Sequence, residues 1–255
     1  ALKKIPFQLN TNEFQFDSEI IVQFVIAELK IKELEIPTYY GDEICHVDGL
    51  KYAWDVTKTV LKARAQELSL FYDRRFDCQP RESQTAHYEP KLDFLSPHSL
   101  AIKIVGKDKR VLDLGCADGH IANFLKKQGN QVTGVDAFEP SGKIRFEKFI
   151  KHDLNANTLP VDLEDYDYVL MLDVIEHLLA PEEFVDQLRR AAKLSPNVRV
   201  LVSSGNVGFM IARLMHMVGQ FNYGKRGILD LTHTRLFTFA TLRRLFEQGG
   251  FELIE

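Results

Sequence analysis

Two aspartates near the middle of the chain flank a segment that contains glycines. Asp113 lies in a short apolar stretch that ends at Gly115, and Asp136 ends a second apolar stretch roughly 20 residues beyond that glycine. At this spacing a carboxylate can accept hydrogen bonds from both hydroxyls of a ribose. A glycine turn before a helix also lets backbone N–H groups approach a ligand closely. The spacing therefore predicts a pocket for a nucleoside-type ligand.

The segments that must position these residues alternate between strand and helix patterns. Short apolar runs of strand length are separated by longer segments with apolar residues at helical spacing. The predicted strands cover 110–114, 131–135, 167–172 and 198–203, and the predicted helices cover 96–105, 119–128, 181–194 and 238–249. Ser96 is predicted to cap the first of these helices, with Pro97 at its first position. Such alternation is typical of an α/β fold with a doubly wound, mostly parallel sheet covered by helices on both faces.

The N-terminal part of the chain has fewer elements. A helix capped by Ser18 is predicted over 19–29 with a broad apolar face, followed by a short strand over 31–36 and a second helix over 49–70. The predicted apolar side of the second helix consists of Leu50, Ala53, Trp54, Val60, Leu61, Ala65 and Leu68. These elements are too few to bury a core alone. The segment therefore needs a partner, which leaves open the rest of this chain, a second subunit in a homodimer, or a missing N-terminal domain.

The composition of the chain suggests where one domain gives way to another. Residues 71–94 are polar and irregular, which makes them the best linker candidate. The predicted organisation is an extension over 1–75, a linker over 76–94 and a larger domain over 95–255. The sequence stops within an apparent strand over 251–255, so whether it continues past Glu255 is left open.

Charge and composition argue against several classes of function. The net charge of −4 gives no electrostatic reason to expect a nucleic acid or an anionic lipid as partner. Cys45, Cys78 and Cys116 lack metal-ligand spacing, and no cluster of His and acidic residues predicts a metal site. This sparse, odd number of cysteines favours a reducing compartment, which we interpret as the cytoplasm. No apolar run reaches the roughly 18 residues of a membrane-spanning helix.

The glycine segment departs from the pattern of dinucleotide-binding turns. That pattern has glycine at three positions, whereas this chain has Ala117 at the second and His120 at the last. The order Asp113-x-Gly115-x-Ala117-x-Gly119 instead resembles the first motif of class I S-adenosylmethionine-dependent methyltransferases. The resemblance implies a Rossmann-like fold of that type and S-adenosylmethionine as cofactor. It also implies that Asp113 orients the turn and the ammonium group of the cofactor.

Three further features resemble the same family. Asp136 matches the acid that accepts both ribose hydroxyls, and Lys151–Asn155 matches the loop that contacts the adenine. Tyr168–Leu178 matches the fourth strand and its exit. The cofactor-binding residues implied in this way are Asp113, Gly115, Ala117, Gly119, Asp136, Ala137, Asp153, Leu154 and Asp173. For Asp113 and Asp136 a role as helix caps is the alternative, and for Asp153 a role in a turn.

The C-terminal part corresponds to the acceptor side in this family. Residues 219–238, with a Leu-Asp-x-Thr-His-x-Arg-x-Phe-Thr pattern over 229–238, resemble the insertion of methyltransferases found near or fused to glycosyltransferases. This implies an oxygen acceptor on a sugar, a lipid-linked glycan or another small polar molecule. His233 and His177 are the candidate general bases, because imidazole titrates near neutral pH. The alternatives are that His177 only fixes the loop after the fourth strand and that His233 bonds a backbone carbonyl.

A second resemblance concerns the N-terminal extension. Phe16–Ile21, Ile36–Cys45 and Gly49–Ala53 resemble the C-terminal end of a family 2 glycosyltransferase of the dolichol-phosphate-mannose-synthase-like branch. The segment lacks the nucleotide-sugar half, so no sugar transfer is expected of it. It implies a glycosyltransferase domain or subunit as partner, whereas an unrelated amphipathic extension is the alternative.

Three functions are compatible with these features. Methyl transfer from S-adenosylmethionine agrees with the ordered motifs over residues 90–255. A non-catalytic module that binds the cofactor and docks a glycosyltransferase is the second hypothesis. An NAD-dependent oxidoreductase is the third, and the missing glycines and the lack of a Tyr-x-x-x-Lys pair argue against it.

Overall fold

The computed structural model of the chain describes two compact units. The described residues are 2–35, 37, 41, 47–67, 72–78, 96–142, 146–156, 158–193, 195, 197–224 and 227–254. One unit comprises residues 1–86 and 222–231, and the other comprises residues 87–221 and 232–255. Within the described ranges, no helix combines the length and the apolar character needed to cross a bilayer.

The described helices and strands largely follow the predicted order. The helices are α1 (Phe16–Ile26), α2 (Gly49–Glu67), α3 (Pro97–Val105), α4 (His120–Lys127), α5 (Pro181–Ala192), α6 (Met210–Met217) and α7 (Phe239–Gln248). The strands are β1 (Arg110–Leu114), β2 (Gln131–Asp136), β3 (Lys148–Lys151), β4 (Tyr168–Leu172) and β5 (Arg199–Ser203). All four strands predicted by the alternating pattern are present, and β3 is the strand that it omitted.

The five strands form one sheet in the second unit. Their order is β3-β2-β1-β4-β5, and every neighbouring pair is parallel. The chain passes from β1 to β2 and β3 on one side and then crosses to β4 and β5 on the other. Open α/β sheets bind ligands outside the carboxyl ends of the strands at such a reversal. The predicted Rossmann-like, doubly wound parallel sheet is confirmed.

Two apolar clusters cover the opposite faces of this sheet. Val169 and Met171 belong to one cluster, and Tyr168 and Leu170 belong to the other. Because successive side chains of a strand point to opposite faces, the two clusters lie on the two sides of the sheet. Residues of α5 and α7 pack on the first cluster, and residues of α3 and α4 pack on the second. Helices therefore cover both faces and leave the carboxyl edge of the sheet for the site.

Three helices of the second unit begin at residues suited to a helix start. Ser96 Oγ accepts a hydrogen bond from the Ser99 N–H at 3.1 Å, and Pro97 is the first residue of α3, as predicted. Thr238 Oγ1 accepts a hydrogen bond from the Thr241 N–H at 3.2 Å at the start of α7. Gly119 precedes α4 in a left-handed conformation with φ of +79°, so the helix starts directly at the predicted glycine turn.

In the first unit, α1 buries polar side chains instead of the predicted apolar face. Only Glu19 and Gln23 of this helix are buried, whereas Ile21 and Val25 are exposed. The helix also begins at Phe16, so Ser18 lies inside it and does not cap it. Both the predicted apolar packing of this helix and its predicted cap are therefore wrong.

A network of hydrogen bonds explains the polar side of α1. Glu19 accepts hydrogen bonds from Arg75 Nη1 at 2.6 Å and from the Thr11 N–H at 2.7 Å. Gln23 Nε2 donates to Asn10 Oδ1 at 2.7 Å and to the Arg75 carbonyl at 2.7 Å. Buried polar groups are tolerated when they are paired in this way. All of these partners lie outside the helix, and Arg75 is more than 50 positions away from Glu19 and Gln23, which is why the apolar periodicity did not reveal the buried face.

Three other predictions need correction. The predicted apolar side of α2 is largely exposed, including Leu50 and Trp54, because the described neighbours of this helix do not cover it. Residues 31–35 form no strand, since the described part of the first unit offers no neighbouring strand to pair with them. The described residues 251–254 are not a strand either, because they pair with no strand of the sheet.

Several predictions concern residues outside the described part of the chain. They include Cys45, Leu68, the last residue of the predicted strand over 31–36, and residues 79–94 of the predicted linker. The segment 36–45, on which much of the glycosyltransferase resemblance depends, is also mostly outside it.

Candidate functional site

The turn between β1 and α4 contains three residues with left-handed backbone. Gly115, Ala117 and Gly119 have φ angles of +73°, +44° and +79°. A Cβ atom on Gly115 would lie 2.5 Å from Val174 Cγ2, so the close approach of the turn to the exit of β4 requires glycine there. Ala117 adopts the left-handed conformation with a side chain, at a cost of about 1 kcal/mol. The turn is thus defined by main-chain conformation more than by side-chain packing.

Asp136 reaches this turn from the end of β2. Its Oδ2 accepts a hydrogen bond from the Ala117 N–H at 2.9 Å, and its Oδ1 accepts one from the Phe138 N–H at 3.0 Å. Each carboxylate oxygen has a second lone pair, so both can still accept a hydrogen bond from a ligand hydroxyl. Neither bond is a helix cap. The structure therefore brings Asp136 and the glycine turn together, with Ala137 next to them in the chain.

Asp113 lies in β1 beneath the turn and is almost fully buried. Burial, and to a smaller extent the negative charge of Asp136, raises the pKa of Asp113 to about 7. Its carboxyl group makes no side-chain hydrogen bond to any residue of the described ranges. A buried carboxyl without a donor favours a ligand that brings one, such as an ammonium group. Asp113 is a strand residue and not a helix cap.

Cys116 shares this environment. Burial raises the pKa of its thiol, and the charges of Asp113 and Asp136 add to the effect. The nucleophilic form of cysteine is the thiolate, which is disfavoured here. Cys116 is therefore part of the packing of the turn and not a nucleophile.

The loop after β3 lies next to β2 at the same edge of the sheet. Asp136 pairs with Lys151, and the His152 N–H donates to the Asp136 carbonyl at 2.8 Å. Asp153 Oδ1 accepts hydrogen bonds from the Asn155 N–H at 2.9 Å and from Asn155 Nδ2 at 3.2 Å. Asp153 thus stabilises a turn, which is the alternative to cofactor binding that the sequence left open. Its Oδ2 takes no part in these two bonds. Leu154 is buried in the apolar cluster beside β1 and β4.

Asp173 follows β4 and pairs with the last residue of β5. It has a φ of +55°, and its N–H lies 3.0 Å from Ser203 Oγ and 3.1 Å from the Ser203 carbonyl. Ser203 Oγ in turn donates to Asp173 Oδ1 at 2.7 Å. A non-glycine residue in the left-handed region marks a position that its surroundings hold firmly. The carboxyl group of Asp173 is therefore fixed next to the strand-order reversal.

His177 and His233 lie in contact although they are far apart in sequence. Their ring centroids are 4.8 Å apart in an edge-to-face arrangement. His177 Nδ1 is 3.2 Å from the Thr232 carbonyl oxygen and 3.2 Å from Thr232 Oγ1. The structure thus brings together both predicted candidate bases. It also shows that one ring nitrogen of His177 is engaged by Thr232.

Three residues of this region were not assigned a role from the sequence. Ser203 is paired with Asp173, Thr232 contacts His177, and Glu176 is a buried acid whose Oε1 accepts a hydrogen bond from the Gly205 N–H at 3.1 Å. A signal for Ser203 existed, because the ends of two adjacent parallel strands meet at one edge. Thr232 and Glu176 are linked to their partners only by the tertiary fold.

The described residues fit a cofactor with a ribose and an ammonium group, and they offer no metal site. The buried carboxyl of Asp113 lacks a donor, and the space above Gly115 cannot hold a side chain. Among the described residues, no group of three or more His, Cys, Asp and Glu side chains could hold a metal ion. The ligand that suits this edge of the sheet is therefore nucleoside-like and carries a cationic group.

Comparison with known proteins shows the family to which the sequence is similar. A family model described as a methyltransferase domain matches residues 81–255. A ubiquinone biosynthesis O-methyltransferase of Coxiella burnetii is 28% identical over 163 residues, which cover 60% of this chain and 68% of the relative. The Rickettsia typhi protein of the same name is 33% identical over 103 residues, covering 38% of this chain and 41% of the relative.

Solved structures with similar folds were also found. A SAM-dependent methyltransferase from Archaeoglobus fulgidus has 21% identity and a TM-score of 0.45, covering 68% of this chain and 70% of its own. The 1,6-didemethyltoxoflavin-N1-methyltransferase of Burkholderia thailandensis, solved with S-adenosylhomocysteine, has 16% identity and a TM-score of 0.44, covering 84% of each chain.

Proposed function

Because the chain belongs to the methyltransferase domain family, we propose that it transfers a methyl group to an oxygen atom of a small polar acceptor. Membership of the family confirms the predicted enzyme class and agrees with S-adenosylmethionine as the methyl donor. When bound, this cofactor supplies an electrophilic methyl group on a sulfonium, and S-adenosylhomocysteine is the leaving group. The residues of this chain then have to bind the cofactor, align the acceptor and remove its proton.

The observation that carries the cofactor side of the proposal is the meeting of Asp136 with the glycine turn. The Ala117 N–H donates to Asp136 Oδ2, which fixes the carboxylate while leaving lone pairs for two ribose hydroxyls. Asp113 is the candidate partner for the ammonium group, because its buried carboxyl has no other donor within the described ranges. Ala137, Asp153, Leu154 and Asp173 are proposed to line the remainder of the cofactor site.

The acceptor side of the proposal depends on the two histidines. An oxygen acceptor loses its proton during methyl transfer, and a general base accelerates that step. His233 is taken as the first candidate and His177 as the second, in the order that the sequence analysis gave them. Nδ1 of His177 lies 3.2 Å from both the Thr232 carbonyl oxygen and the Thr232 hydroxyl oxygen. The proton of the acceptor hydroxyl would pass to the imidazole of His233. The hydroxyl oxygen would form the new bond to the methyl carbon. His177 would hold the ring of His233 by their edge-to-face contact.

The proposal about the acceptor concerns first its reacting atom and then the kind of molecule that carries this atom. The name O-methyltransferase of the Coxiella burnetii and Rickettsia typhi relatives favours oxygen over nitrogen as the acceptor atom. The sequence resemblance to methyltransferases associated with glycosyltransferases favours a sugar or a lipid-linked glycan. A phenol and a sugar share the hydroxyl group that the proposed base requires, so both classes belong in the first test.

Calorimetry and turnover test the two sides separately. The parent protein should bind S-adenosylmethionine, and Asp136→Ala should bind it at least about 100-fold more weakly, because two hydroxyl contacts are lost. Asp162→Ala is the control, since this acid lies before a 3₁₀ turn and makes no side-chain cap bond. Formation of S-adenosylhomocysteine would then be measured with catechol, methyl glucoside and a polyprenyl-phosphate sugar. Equal cofactor binding by the parent and Asp136→Ala would refute the assigned cofactor site.

A non-catalytic module that docks a glycosyltransferase is the second candidate function. This hypothesis is motivated by the N-terminal extension, in which large apolar residues of α1 and α2 are exposed. Cofactor binding without S-adenosylhomocysteine formation from any hydroxyl acceptor would favour it. Turnover with any acceptor of the panel would exclude it as the sole function.

A further inference from the structure

We propose that Glu176 is a positioning residue of the acceptor side, which joins three segments so that His177 and His233 keep their relative geometry. The segments are the exit of β4, the loop after β5 and residues 232–237. This inference rests on the proposed function, because it concerns the acceptor side of that same site.

The side chain of Glu176 fixes the loop after β5. The residue is 2% exposed, and its Oε1 accepts a hydrogen bond from the Gly205 N–H at 3.1 Å. The next residues of that loop are themselves tied to the C-terminal segment, because the Val207 N–H donates to the Phe237 carbonyl at 2.8 Å. One carboxyl oxygen of Glu176 thus anchors the start of a loop whose next residues are bonded to the C-terminal segment.

The main-chain carbonyl of Glu176 fixes the segment that carries His233. It accepts hydrogen bonds from the Thr234 N–H at 2.9 Å and from the Arg235 N–H at 3.1 Å. Thr234 Oγ1 adds a bond to the same carbonyl at 3.2 Å and one to the Leu178 carbonyl at 2.6 Å. His233 directly precedes these anchored residues, and His177 directly follows Glu176. The contact between the two rings is therefore held from both sides by one residue.

The other carboxyl oxygen indicates that Glu176 is not present for stability alone. Oε2 is buried and has no hydrogen-bond partner among the described residues. An unpaired buried polar atom costs about 1–3 kcal/mol. An apolar side chain of similar volume would fill this position without that cost. The presence of Glu176 beside a candidate base, despite the cost of its unpaired Oε2, is therefore best explained by the bond of Oε1 to the Gly205 N–H.

Two variants of Glu176 and one matched control test this role. Glu176→Met removes the acceptor for the Gly205 N–H at similar volume, whereas Glu176→Gln keeps an oxygen for it. Glu182→Gln is the control, because the carboxyl of Glu182 also contacts the C-terminal segment, 3.2 Å from Arg235 Nη2, but from the exposed surface. The measurements are the Tm, the Kd of S-adenosylmethionine, and kcat and KM with the most active acceptor of the panel.

A positioning role gives a specific pattern of results. Glu176→Met should keep its Tm and bind S-adenosylmethionine within about two-fold of the parent, while kcat falls by at least about 10-fold and the acceptor KM rises. Glu176→Gln should restore kcat to within about three-fold, and Glu182→Gln should resemble the parent. Parental kcat and KM in Glu176→Met would overturn the proposal. A parallel loss of cofactor affinity would do the same, because it would indicate a general structural role.

A second readout needs neither cofactor nor acceptor. Hydrogen exchange at the Gly205 amide and the nuclear Overhauser effect between the rings of His177 and His233 report the geometry directly. In Glu176→Met the Gly205 amide should exchange at least about 10-fold faster and the ring contact should weaken, whereas Glu176→Gln should match the parent. Unchanged exchange and ring contact in Glu176→Met would contradict the proposal. If the parent methylates no acceptor, the proposed function fails, and this readout still decides the role of Glu176.

Discussion

The proposed cofactor side and the proposed acceptor side of the site are built by different means. On the cofactor side, Gly115 and Ala117 have left-handed backbone, and the Ala117 N–H donates to Asp136, which lies 19 positions further along the chain. On the acceptor side, the hydrogen bonds of His177 and Thr234 join residues 55 to 58 positions apart. The first side is therefore encoded by a local motif, and the second exists only when the unit is folded.

This difference separates what mutations on each side should do. A change in the glycine turn alters the backbone of the proposed cofactor pocket, so cofactor binding and stability should change together. A change near the histidines alters contacts between separate segments, so turnover can change while cofactor binding stays intact. The following variants test that separation, from the largest expected effect to the smallest.

Asp113→Asn tests the burial of charge on the cofactor side. The pKa of Asp113 is raised to about 7, whereas the pKa of an aspartate in an unfolded chain is about 3.9. The folded form binds more protons between these values, so the free energy of unfolding should fall as the pH rises from about 4 to about 7 and stay constant above. Titration of Asp113 should lower the free energy of unfolding by about 4 kcal/mol over this pH range. Asp113→Asn should lack this decrease.

Urea denaturation at several pH values from about 4 to 8 measures this effect. Glu139→Gln is the control, because Glu139 is an exposed acid whose Oε1 is 3.3 Å from Lys151 Nζ. The control should retain the pH dependence of the parent. Identical slopes in the parent and in Asp113→Asn would contradict the assigned burial of the charge.

Gly115→Ala tests the backbone of the turn. The new Cβ would meet Val174 Cγ2 at 2.5 Å in a left-handed conformation, so the protein should lose about 3 kcal/mol of stability and most of its cofactor affinity. Gly219→Ala is the matched control, with φ of +72° and no atom within 4 Å of the added Cβ. It should lose about 1 kcal/mol, from backbone strain alone. Equal losses in the two variants would show that the clash with Val174 is unimportant.

His233→Asn and His177→Asn test the acceptor side. If His233 is the general base, as proposed, His233→Asn should lower kcat by about 100-fold, which corresponds to about 2.7 kcal/mol in the barrier. His177→Asn should lower kcat by only about 10-fold, because it removes a ring contact and not the base. Calorimetry should give the parental affinity for S-adenosylmethionine in both. A larger effect at His177 would reverse the proposed roles of the two residues.

Ala117→Gly tests the smallest feature of the turn. Ala117 has a φ of +44°, and glycine would relieve the strain while adding freedom to the unfolded chain. The net gain should be about 0.5 kcal/mol, with cofactor binding retained, because the N–H that reaches Asp136 belongs to the main chain. Ala137→Gly should instead lose about 0.5–1 kcal/mol, since Ala137 is not left-handed. Thermal denaturation distinguishes a gain from a loss.

The sequence was most informative where structure is local. The strand around Asp113, the turn at Gly115 and the acid at Asp136 could be predicted because apolar periodicity and glycine placement act over a few residues. The strand β3 was missing from the alternating pattern, since Lys148–Lys151 is short and only partly buried. Its place was indicated only by the resemblance of the loop that follows it.

The sequence was least informative where polar groups are buried through distant partners. The apolar periodicity of α1 predicts a buried face that the structure exposes, because Arg75 and Asn10 pair with Glu19 and Gln23 on the opposite face. Glu176 belongs to the same class. Its neighbours in sequence give no sign that Gly205 will donate to its carboxyl group. Patterns of hydrophobicity cannot identify such residues, since their burial depends on hydrogen bonds formed only on folding.

The polar interior of the first unit has a consequence for its response to temperature. Its buried residues include Ile5, Phe76 and Cys78, but also Glu19 and Gln23. Unfolding exposes both kinds of surface, and the heat capacity rises with exposed apolar area but falls with exposed polar area. The first unit should therefore have a smaller heat capacity change per residue than the second, whose clusters are apolar. Its free energy of unfolding would then vary along a flatter curve, with less weakening on cooling.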